Sequence, residues 1–577
     1  MAENPFLVAA LSTGLVQTGE NLIKIERNNT VTSFSRRKAK LPVRGAAITL
    51  PGLLLLSCAF PCFAGQRGQQ ESARPTPEQA SAQAADTHER PAHEEPLHEE
   101  KPVVTHHEIK IGDRTLKYTA TTGMMPLKDA TGALQANLFF VGYTLDGAGP
   151  AGSRPITFAF NGGPGAGSLW LHIGCIGPRR VRMQDNGGMP APPYRLDDNP
   201  NTWLDQTDLV FIDPVGTGFS RAAKPELGTK FFGLKGDIQS VGEFIRLYLD
   251  HYERWSSPLF LAGESYGTTR AAGLSGYLIE HGIAFNGIVL LSTVMNFQTL
   301  IFERGNDLPY VLFLPTYAAT AWYHKKLPPD VQSKDLASFL AEVEKWADDE
   351  YTTALQKGDA LSADQRQAVA DRLARYTGLD KSTIDDANLR IDGSLFEKEL
   401  LHDRKMTVGR LDSRFVGLDE SALGIYPDFD PSMVAIRPPF TAALNDYVRT
   451  ELGYKTDLEY YALGGGVGPW DFGVNNGYAD TSQSLRSAFA KNPDMKLFVG
   501  MGYYDLATPF FAVKYTLGHM GLNSALRGNI SVGYYEAGHM MYIDNPAISK
   551  LRKDIGTFIE SASHSAPSSG INAPAVR

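Results

Sequence analysis

The amino-acid sequence predicts a protein of the α/β class, with a mostly parallel, doubly wound sheet and an inserted, largely helical cap. Three observations support this fold class. Short apolar runs alternate with helical patterns between residues 155 and 292. Residues 295–481 carry helical patterns with charged faces, and two more apolar runs follow from residue 495. The helical interval therefore interrupts a single sheet.

The N-terminal region has the pattern of an export leader. Basic residues between Arg36 and Arg44 precede an apolar segment, residues 46–60, which is too short and too interrupted by Pro51-Gly52 for a convincing membrane span. We expect residues 1–65 to be a leader with a signal peptide cleaved after Ala64, and the protein to be exported, either periplasmic or secreted. A lipoprotein anchored at Cys58 is the alternative.

Composition predicts disordered segments on both sides of the core and argues against a metal site and a nucleic-acid partner. Residues 66–104 are rich in Pro, Glu, His and Gln, with few large apolar residues, which predicts a disordered spacer, and residues 564–577 a disordered tail. The spacer histidines lack cysteine partners and fixed ligand spacing, so no metal site is expected. A net charge of −9 without a basic stripe beyond the N-terminus argues against a nucleic-acid partner.

The core is expected in two parts, residues 105–294 and 482–563, separated by the cap at 295–481. Strand-like runs with turn residues between them begin the first part, and they predict antiparallel hairpins at one edge of the sheet. Four further apolar runs follow, centred on Phe158, Phe211, Phe260 and Val289. Helices are predicted at residues 231–254, 268–281, 336–348, 360–376, 432–452 and 546–561.

The strand around Phe260 ends in Gly263-Glu264-Ser265-Tyr266-Gly267, directly before a helical pattern. Strand, tight turn and helix form the context in which Gly-x-Ser-x-Gly is a nucleophile elbow. A serine hydroxyl is a poor nucleophile, so Ser265 needs a base, a group that orients the base, and an oxyanion hole.

Candidates for the base and its partner follow the last two predicted strands. Asp505 comes after residues 495–502, and His539 after residues 530–535, each at the carboxyl end where an open α/β sheet keeps its active site. We therefore predict that Ser265, Asp505 and His539 form a catalytic triad. Asp544 is the alternative acid, and His519 is a weaker base candidate because it lies in a helical stretch.

The oxyanion hole is expected to use two backbone amides. One is the amide of Tyr266, which follows the nucleophile. The other is assigned to Gly163, in the glycine-dense loop Asn161-Gly162-Gly163-Pro164-Gly165 that follows the Phe158 strand. This loop is not a phosphate-binding loop, because no Gly-Lys-Ser/Thr follows it.

Five segments together resemble the serine carboxypeptidase family (peptidase S10) of the α/β-hydrolase superfamily: 161–165, 213–220, 263–267, Asp505 and 537–540. The resemblance covers residues 105–562. It implies an α/β-hydrolase fold and removal of C-terminal residues from peptides with a free C-terminus. It also implies that Asn161, Gly162 and Glu264 bind the substrate carboxylate. Only three cysteines are present, which resembles bacterial members more than the disulfide-bonded eukaryotic ones.

One position departs from the family pattern. Many members carry a second Glu that supports the first, and here Cys175 occupies that position. A thiol shares a proton poorly, so the carboxylate clamp is open to question, as is a preference for acidic conditions. One of Arg179, Arg180 and Arg182 could supply a cation instead, although the favoured alternative is that these arginines are solvated or paired with the cap.

The same triad serves other reactions. An esterase or acyltransferase also passes through an acyl-enzyme, so it is the main alternative to a peptidase. A non-catalytic binding protein is a third hypothesis, which the intact Ser265, Asp505 and His539 disfavour. No cofactor is expected, and the sequence leaves side-chain preference, pH optimum and oligomeric state open.

Overall fold

The computed structural model describes residues 101–421 and 423–563. The expected leader, residues 66–100 of the expected spacer, the expected tail, and Cys58 lie outside the described residues. The first strand begins at Val103.

A ten-stranded mixed sheet forms the centre of the described chain. Nine of its strands are labelled here in chain order: β1 Val103–Ile111, β2 Arg114–Lys128, β3 Leu134–Leu145, β4 Ile156–Phe160, β5 Asp208–Ile212, β6 Leu259–Ser265, β7 Gly287–Thr293, β8 Lys496–Gly502 and β9 Ile530–Tyr535. Their order across the sheet is β1-β2-β3-β5-β4-β6-β7-β8-β9, and the short strand Arg221–Ala222 pairs with β3.

The first three strands are antiparallel hairpin strands at one edge, as predicted. Gly112 and Gly132 have positive φ angles (57° and 86°) in the two connecting turns, a conformation that glycine adopts without strain. From β5 to β9 all neighbouring strands are parallel. Strands β4, β5 and β7 are buried along their whole length, as expected where helices cover both faces of a parallel sheet. The predicted α/β fold class is confirmed.

Within residues 101–421 and 423–563, nine longer helices accompany the sheet. They are α1 Leu234–His251, α2 Tyr266–Glu280, α3 Leu308–Tyr323, α4 Leu336–Trp346, α5 Ala363–Thr377, α6 Pro431–Thr450, α7 Ser482–Lys491, α8 Phe510–His519 and α9 Asn545–Ser563. Shorter helices are Leu169–Leu171, Pro329–Gln332, Thr352–Lys357, Lys381–Asp386 and Gly393–Glu399, and two small hairpins pair Arg179–Val181 with Leu196–Asp198 and Met406–Val408 with Val416–Leu418. None of the helices in this part of the chain is both long and apolar enough to cross a membrane.

Helix α5 begins at Ala363 and not at residue 360 as predicted, and its N-terminal cap explains the difference. The Ser362 side chain accepts a hydrogen bond from the Gln365 amide, and the Gln365 side chain accepts one from the Ser362 amide. This capping box fixes the helix start at Ala363. The helix ends at Gly378, whose left-handed conformation satisfies the last turn.

The inserted segment packs on both sides of the sheet. Side chains of α3, α4 and α5, such as Phe313, Phe339 and Leu373, join the core cluster that also contains Leu261. Those of α6, such as Phe440, join the cluster on the other face. Between them, residues 406–418 form a hairpin whose turn extends to the ends of β8 and β9.

Candidate active site

Ser265 lies at a sharp turn between β6 and α2. Its φ of 58° and ψ of −132° are strained for a residue with a side chain. A Cβ atom at Gly263 would lie 2.3 Å from the carbonyl oxygen of Gly267, so the turn needs glycine there. Ser265 is the one residue of β6 that is partly exposed. The turn therefore presents its hydroxyl at the carboxyl edge of the sheet.

The glycine-dense loop after β4 packs directly against this turn. A Cβ atom at Gly162 would lie 2.4 Å from the backbone nitrogen of Tyr266. Gly163 has a φ of 99°, which only glycine adopts readily. The loop that carries the Gly163 amide thus lies beside the first amide of α2, which is the arrangement that a two-amide oxyanion hole requires.

Asp505 and His539, which follow β8 and β9, are brought together. The Nδ1 atom of His539 lies 2.8 Å from Oδ2 of Asp505. Thr508 donates its hydroxyl proton to the same oxygen at 2.6 Å, and the amides of Ala507 and Thr508 donate to Oδ1 at 2.8 and 2.9 Å. The carboxylate is therefore fixed in one orientation against the imidazole.

The surroundings of this pair favour an ionised Asp505 carboxylate and a His539 imidazole that can be protonated. Burial alone would raise the pKa of Asp505, but His539 and the Thr508 donors outweigh it and keep that pKa below the usual value. Burial would also lower the pKa of His539, yet the neighbouring Asp505 raises it above its usual value. Both directions favour an imidazole that can accept and hold a proton.

The alternative candidates are engaged elsewhere. Asp544 accepts a hydrogen bond from Nη1 of Arg414 at 3.0 Å and another from the amide of Ala547. His519 lies at the end of α8, where its Nδ1 is 2.7 Å from the carbonyl oxygen of Tyr515.

Glu264, next to the nucleophile, is buried in a polar cage. Its Oε2 atom accepts hydrogen bonds from the side-chain amide of Asn161 and, at 2.7 Å, from the hydroxyl of Tyr542. Burial raises the pKa of Glu264 to about 7, with His539 and the two donors working in the opposite direction. This carboxyl group can therefore exchange a proton near neutral pH.

The orientation of Asn161 is itself fixed. Its Oδ1 accepts the amide of Leu171 at 3.0 Å, which leaves the Nδ2 group for Glu264. Its carbonyl oxygen accepts a hydrogen bond of 2.6 Å from Arg270, and Arg270 forms a fully buried ion pair with Asp237 at 2.8 Å.

Cys175 and the nearby arginines do not form the alternative clamp. Cys175 is fully buried, and burial raises the pKa of its thiol well above the usual range, with the Glu264 charge adding to the effect. Arg179 pairs with Asp198 and with Glu451, the residue that follows α6. Arg180 donates to Asn545 and to the carbonyl oxygens of Tyr542 and Ile543, and Arg182 pairs with Asp197. The three arginines are thus engaged in ion pairs and backbone contacts, which for Arg179 agrees with the favoured alternative, and Tyr542 is the added partner of Glu264.

Three residues that bond to the predicted site residues were missed by the sequence analysis: Tyr542, Thr508 and Arg270. Tyr542 lies in a short 3₁₀ turn, Met541–Ile543, that begins two residues after His539. Only the proximity of Tyr542 and Thr508 to the two predicted triad residues could have indicated them. Among residues 101–421 and 423–563, no group of three or more His, Cys, Asp or Glu side chains could hold a metal ion.

Comparison with known proteins finds similarity to one family over part of the chain. Residues 113–391 match the family model described as serine carboxypeptidase, a range that includes Ser265 and ends before Asp505. The chain is 27% identical to serine carboxypeptidase-like 36 of Arabidopsis thaliana over 30% of its own length and 31% of the relative's. It is 28% identical to the pheromone-processing carboxypeptidase KEX1 of Saccharomyces cerevisiae strain JAY291 over 28% of its own length and 22% of the relative's.

These alignments span a third or less of the curated relatives they match. A crystal structure of KEX1(delta)P, a prohormone-processing carboxypeptidase from Saccharomyces cerevisiae, superposes with a TM-score of 0.48 and 15% identity, over 77% of this chain and 91% of that one. The family-model match and these sequence relatives therefore show that residues 113–391 are similar to the serine carboxypeptidase family, peptidase S10.

Proposed function

We propose that the protein is a serine-type carboxypeptidase that removes C-terminal residues from peptides. The observation that carries this proposal is Glu264, a buried carboxyl group beside the nucleophile with a pKa raised to about 7. A general esterase has no need of a protonatable carboxyl group at this point. A peptidase that must accept a substrate carboxylate does, because two close negative charges cannot both persist.

In the proposed mechanism, Ser265 attacks the scissile carbonyl and His539 accepts its proton. Asp505 holds the imidazole in the required tautomer, and His539 later gives the proton to the leaving amine. The amides of Gly163 and Tyr266 stabilise the oxyanion; where one such donor has been removed by mutation, the cost is about 3 kcal/mol. A water molecule then attacks the acyl-enzyme and hydrolyses it through the same steps.

The substrate carboxylate is proposed to bind at Asn161, Gly162 and protonated Glu264. Asn161 and Tyr542 both donate to Oε2 of Glu264, which leaves Oε1 to carry the proton. Burial raises the pKa of the Tyr542 phenol well above its usual value, so it stays a donor. Tyr542 thus supports the orientation of Glu264 without a second carboxyl group.

The alternative is an esterase or acyltransferase that uses the same triad. It is favoured by one observation, Cys175 at the position where many family members carry the second Glu. In that case the carboxylate site would contribute nothing to turnover, and substrates with and without a free C-terminus would react equally well.

The test uses the chain from Gln66 onward, with N-blocked peptides whose C-termini are free or amidated, and simple esters as a third substrate. Products are followed by mass spectrometry, and Ser265→Ala is the blank. We expect stepwise loss of residues from the free-acid peptide only. Equal turnover of the amidated peptide would remove the carboxylate site from the proposal, and turnover of esters alone would favour the alternative.

We further propose export, with the mature protein periplasmic or secreted. The support is the basic and apolar pattern of residues 36–64. Expression of the full chain in a bacterial host, followed by fractionation and N-terminal sequencing, tests it. A mature N-terminus at Gly65 is expected; an intact cytoplasmic chain would contradict export, and lipid on Cys58 would favour the anchored alternative.

A further inference from the structure

A segment of the cap, Arg410–Arg414, lies between the two turns that carry Asp505 and His539. We call this segment the strap. It follows the strand Met406–Val408, and its neighbours belong to the inserted region rather than to the sheet. Ser413 accepts a hydrogen bond of 2.7 Å from His324 through its carbonyl oxygen, and its hydroxyl lies 2.6 Å from that of Thr320. Both contacts join the strap to the C-terminal half of α3 and the residue after it.

On one side the strap binds the backbone on either side of Asp505. The amide and hydroxyl of Ser413 both donate to the carbonyl oxygen of Tyr504, at 2.9 and 3.0 Å. The amide of Leu506 donates to the carbonyl oxygen of Arg410 at 3.0 Å. Asp505 is therefore held between two strap contacts.

On the other side the strap binds the turn that carries His539. The amide of His539 donates to the carbonyl oxygen of Leu411 at 2.6 Å, and the amide of Gly538 donates to Oδ2 of Asp412 at 3.1 Å. Any side chain at Gly538 would collide with the strap, since its Cβ would lie 2.5 Å from Cβ of Asp412.

A buried ion pair fixes the shape of the strap. Arg414 donates from Nε and Nη2 to the carboxylate of Asp412, at 2.9 and 2.7 Å. Its Nη1 donates to the carbonyl oxygen of Glu536 at 2.9 Å and to Asp544 at 3.0 Å. The side chains of Arg414 and Asp412 are only 11% and 4% exposed, so losing Arg414 leaves the buried Asp412 carboxylate without its cation, and losing Asp412 leaves Arg414 with Asp544 alone.

Pairing between strands β8 and β9 does not extend to Asp505 and His539. Strands β8 and β9 pair as far as Gly502 and Tyr535, and two further backbone bonds join Tyr503 and Tyr504 to the opposite turn. Asp505 and His539 lie beyond them. There the strap supplies backbone contacts to both turns. Ser292 of β7 donates its hydroxyl proton to the carbonyl oxygen of His539, and the direct link between the two catalytic residues is the Asp505–His539 hydrogen bond with its Thr508 partner.

We propose that Arg414 and Asp412 are positioning residues: their ion pair shapes the strap so that it sets the separation of Asp505 and His539 and couples the cap to the triad. The proposal rests on the proposed function. Catalytic geometry is sensitive at this scale, since a displacement of about 1 Å can cost about a hundredfold in rate. A loosened strap should therefore lower turnover and leave the carboxylate site, built from Asn161, Glu264 and Tyr542, as it is.

The experiment compares Arg414→Lys, which keeps the charge but cannot form the same set of bonds, with a matched control, Arg254→Lys. The Arg254 side chain is also buried, at 4% exposed, and pairs with Asp208 at 2.7 Å. Its hydrogen bonds within the described chain go to Ser257, Asp208 and the carbonyl oxygen of Arg154, away from both catalytic turns. Asp412→Asn is the second test variant. Thermal unfolding of all variants measures their structural cost.

Two readouts separate positioning from folding. The first is the pKa of His539, measured by hydrogen–deuterium exchange at its imidazole carbon with mass spectrometry, which needs no catalysis. Burial lowers this pKa, Asp505 and Glu264 raise it, and Arg410 lowers it; Asp505 dominates among the groups that raise it. The second is the rate at which a fluorophosphonate labels Ser265, together with kcat and KM for an ester.

We expect Arg414→Lys to lower the pKa of His539 toward its usual value, and to reduce labelling and kcat by about tenfold or more with KM within about threefold. Arg254→Lys should lose thermal stability without either change. An unchanged His539 pKa in Arg414→Lys and in Asp412→Asn would overturn the proposal. If the unmodified protein hydrolyses neither peptide nor ester, the proposed function fails, and the His539 exchange still decides the role of the strap.

Discussion

The raised pKa of Glu264 predicts an alkaline limit that depends on the substrate carboxylate. If protonated Glu264 receives the carboxylate, kcat/KM for a free-acid peptide must fall once Glu264 ionises. An ester or an amidated substrate does not use this site, so it reports only the titration of His539. The ratio of the two kcat/KM values therefore isolates Glu264.

The size of the effect follows from a pKa of about 7. Most Glu264 is protonated at about pH 6 and about one tenth is at about pH 8, so the ratio should fall about tenfold over this interval. Each further pH unit should cost another factor of about ten. In Glu264→Gln the amide can still donate a hydrogen bond and does not titrate, so the ratio should be flat.

The assay measures kcat/KM for one N-blocked peptide as the free acid and as the methyl ester, with Ser265→Ala as the blank. A ratio that stays constant across this interval would refute the carboxylate role of Glu264. So would an equally steep decline in Glu264→Gln, because the titrating group would then lie elsewhere.

Three further predictions follow from the same contacts. Tyr542→Phe removes a donor that favours ionised Glu264, so the alkaline limit of the same ratio should move to higher pH. Burial raises the pKa of Glu264 from 4.5 to about 7. The free-energy cost of ionising Glu264 in the folded protein is therefore absent below about pH 4.5 and complete above about pH 7. The stability gain of Glu264→Gln, measured by urea unfolding, should grow by about 3 kcal/mol between those limits. Gly263→Ala places a Cβ atom 2.3 Å from the Gly267 carbonyl oxygen, so fluorophosphonate labelling of Ser265 should be lost, whereas Gly528→Ala, with open space around it, should label normally.

The sequence predicted the features that depend on local pattern. The elbow at Ser265 and the strands before Asp505 and His539 are each specified by a short apolar run with glycine or polar residues at its end. The strap could not be predicted in this way. Residues 410–414 have no periodic pattern, and their position depends on how the chain returns from the cap to the sheet edge, nearly a hundred residues before Asp505.

The question of which group supports Glu264 was left open by the sequence for a related reason. Proximity in sequence left a substrate cation as one alternative, and the hairpin Arg179–Val181 directs these side chains instead to Asp198, Asp197 and the backbone near Ile543. The partner of Glu264 came instead from Tyr542, far along the chain. Its contact with Glu264 depends on the 3₁₀ turn after His539, which apolar periodicity does not reveal.

Glu264 also acts on the triad, which gives a last prediction. Ionised Glu264 raises the pKa of His539, so the two groups titrate as a coupled pair that can share one proton in two ways. Only the form with neutral Glu264 and neutral His539 has both a carboxylate receiver and a general base. Glu264→Gln removes the competing form with ionised Glu264 and protonated His539. The acid limb of ester hydrolysis, which depends on His539 alone, should therefore move to lower pH in this variant. The His539 exchange measurement should show the same shift, and an acid limb that stays in place or moves upward would contradict the coupling.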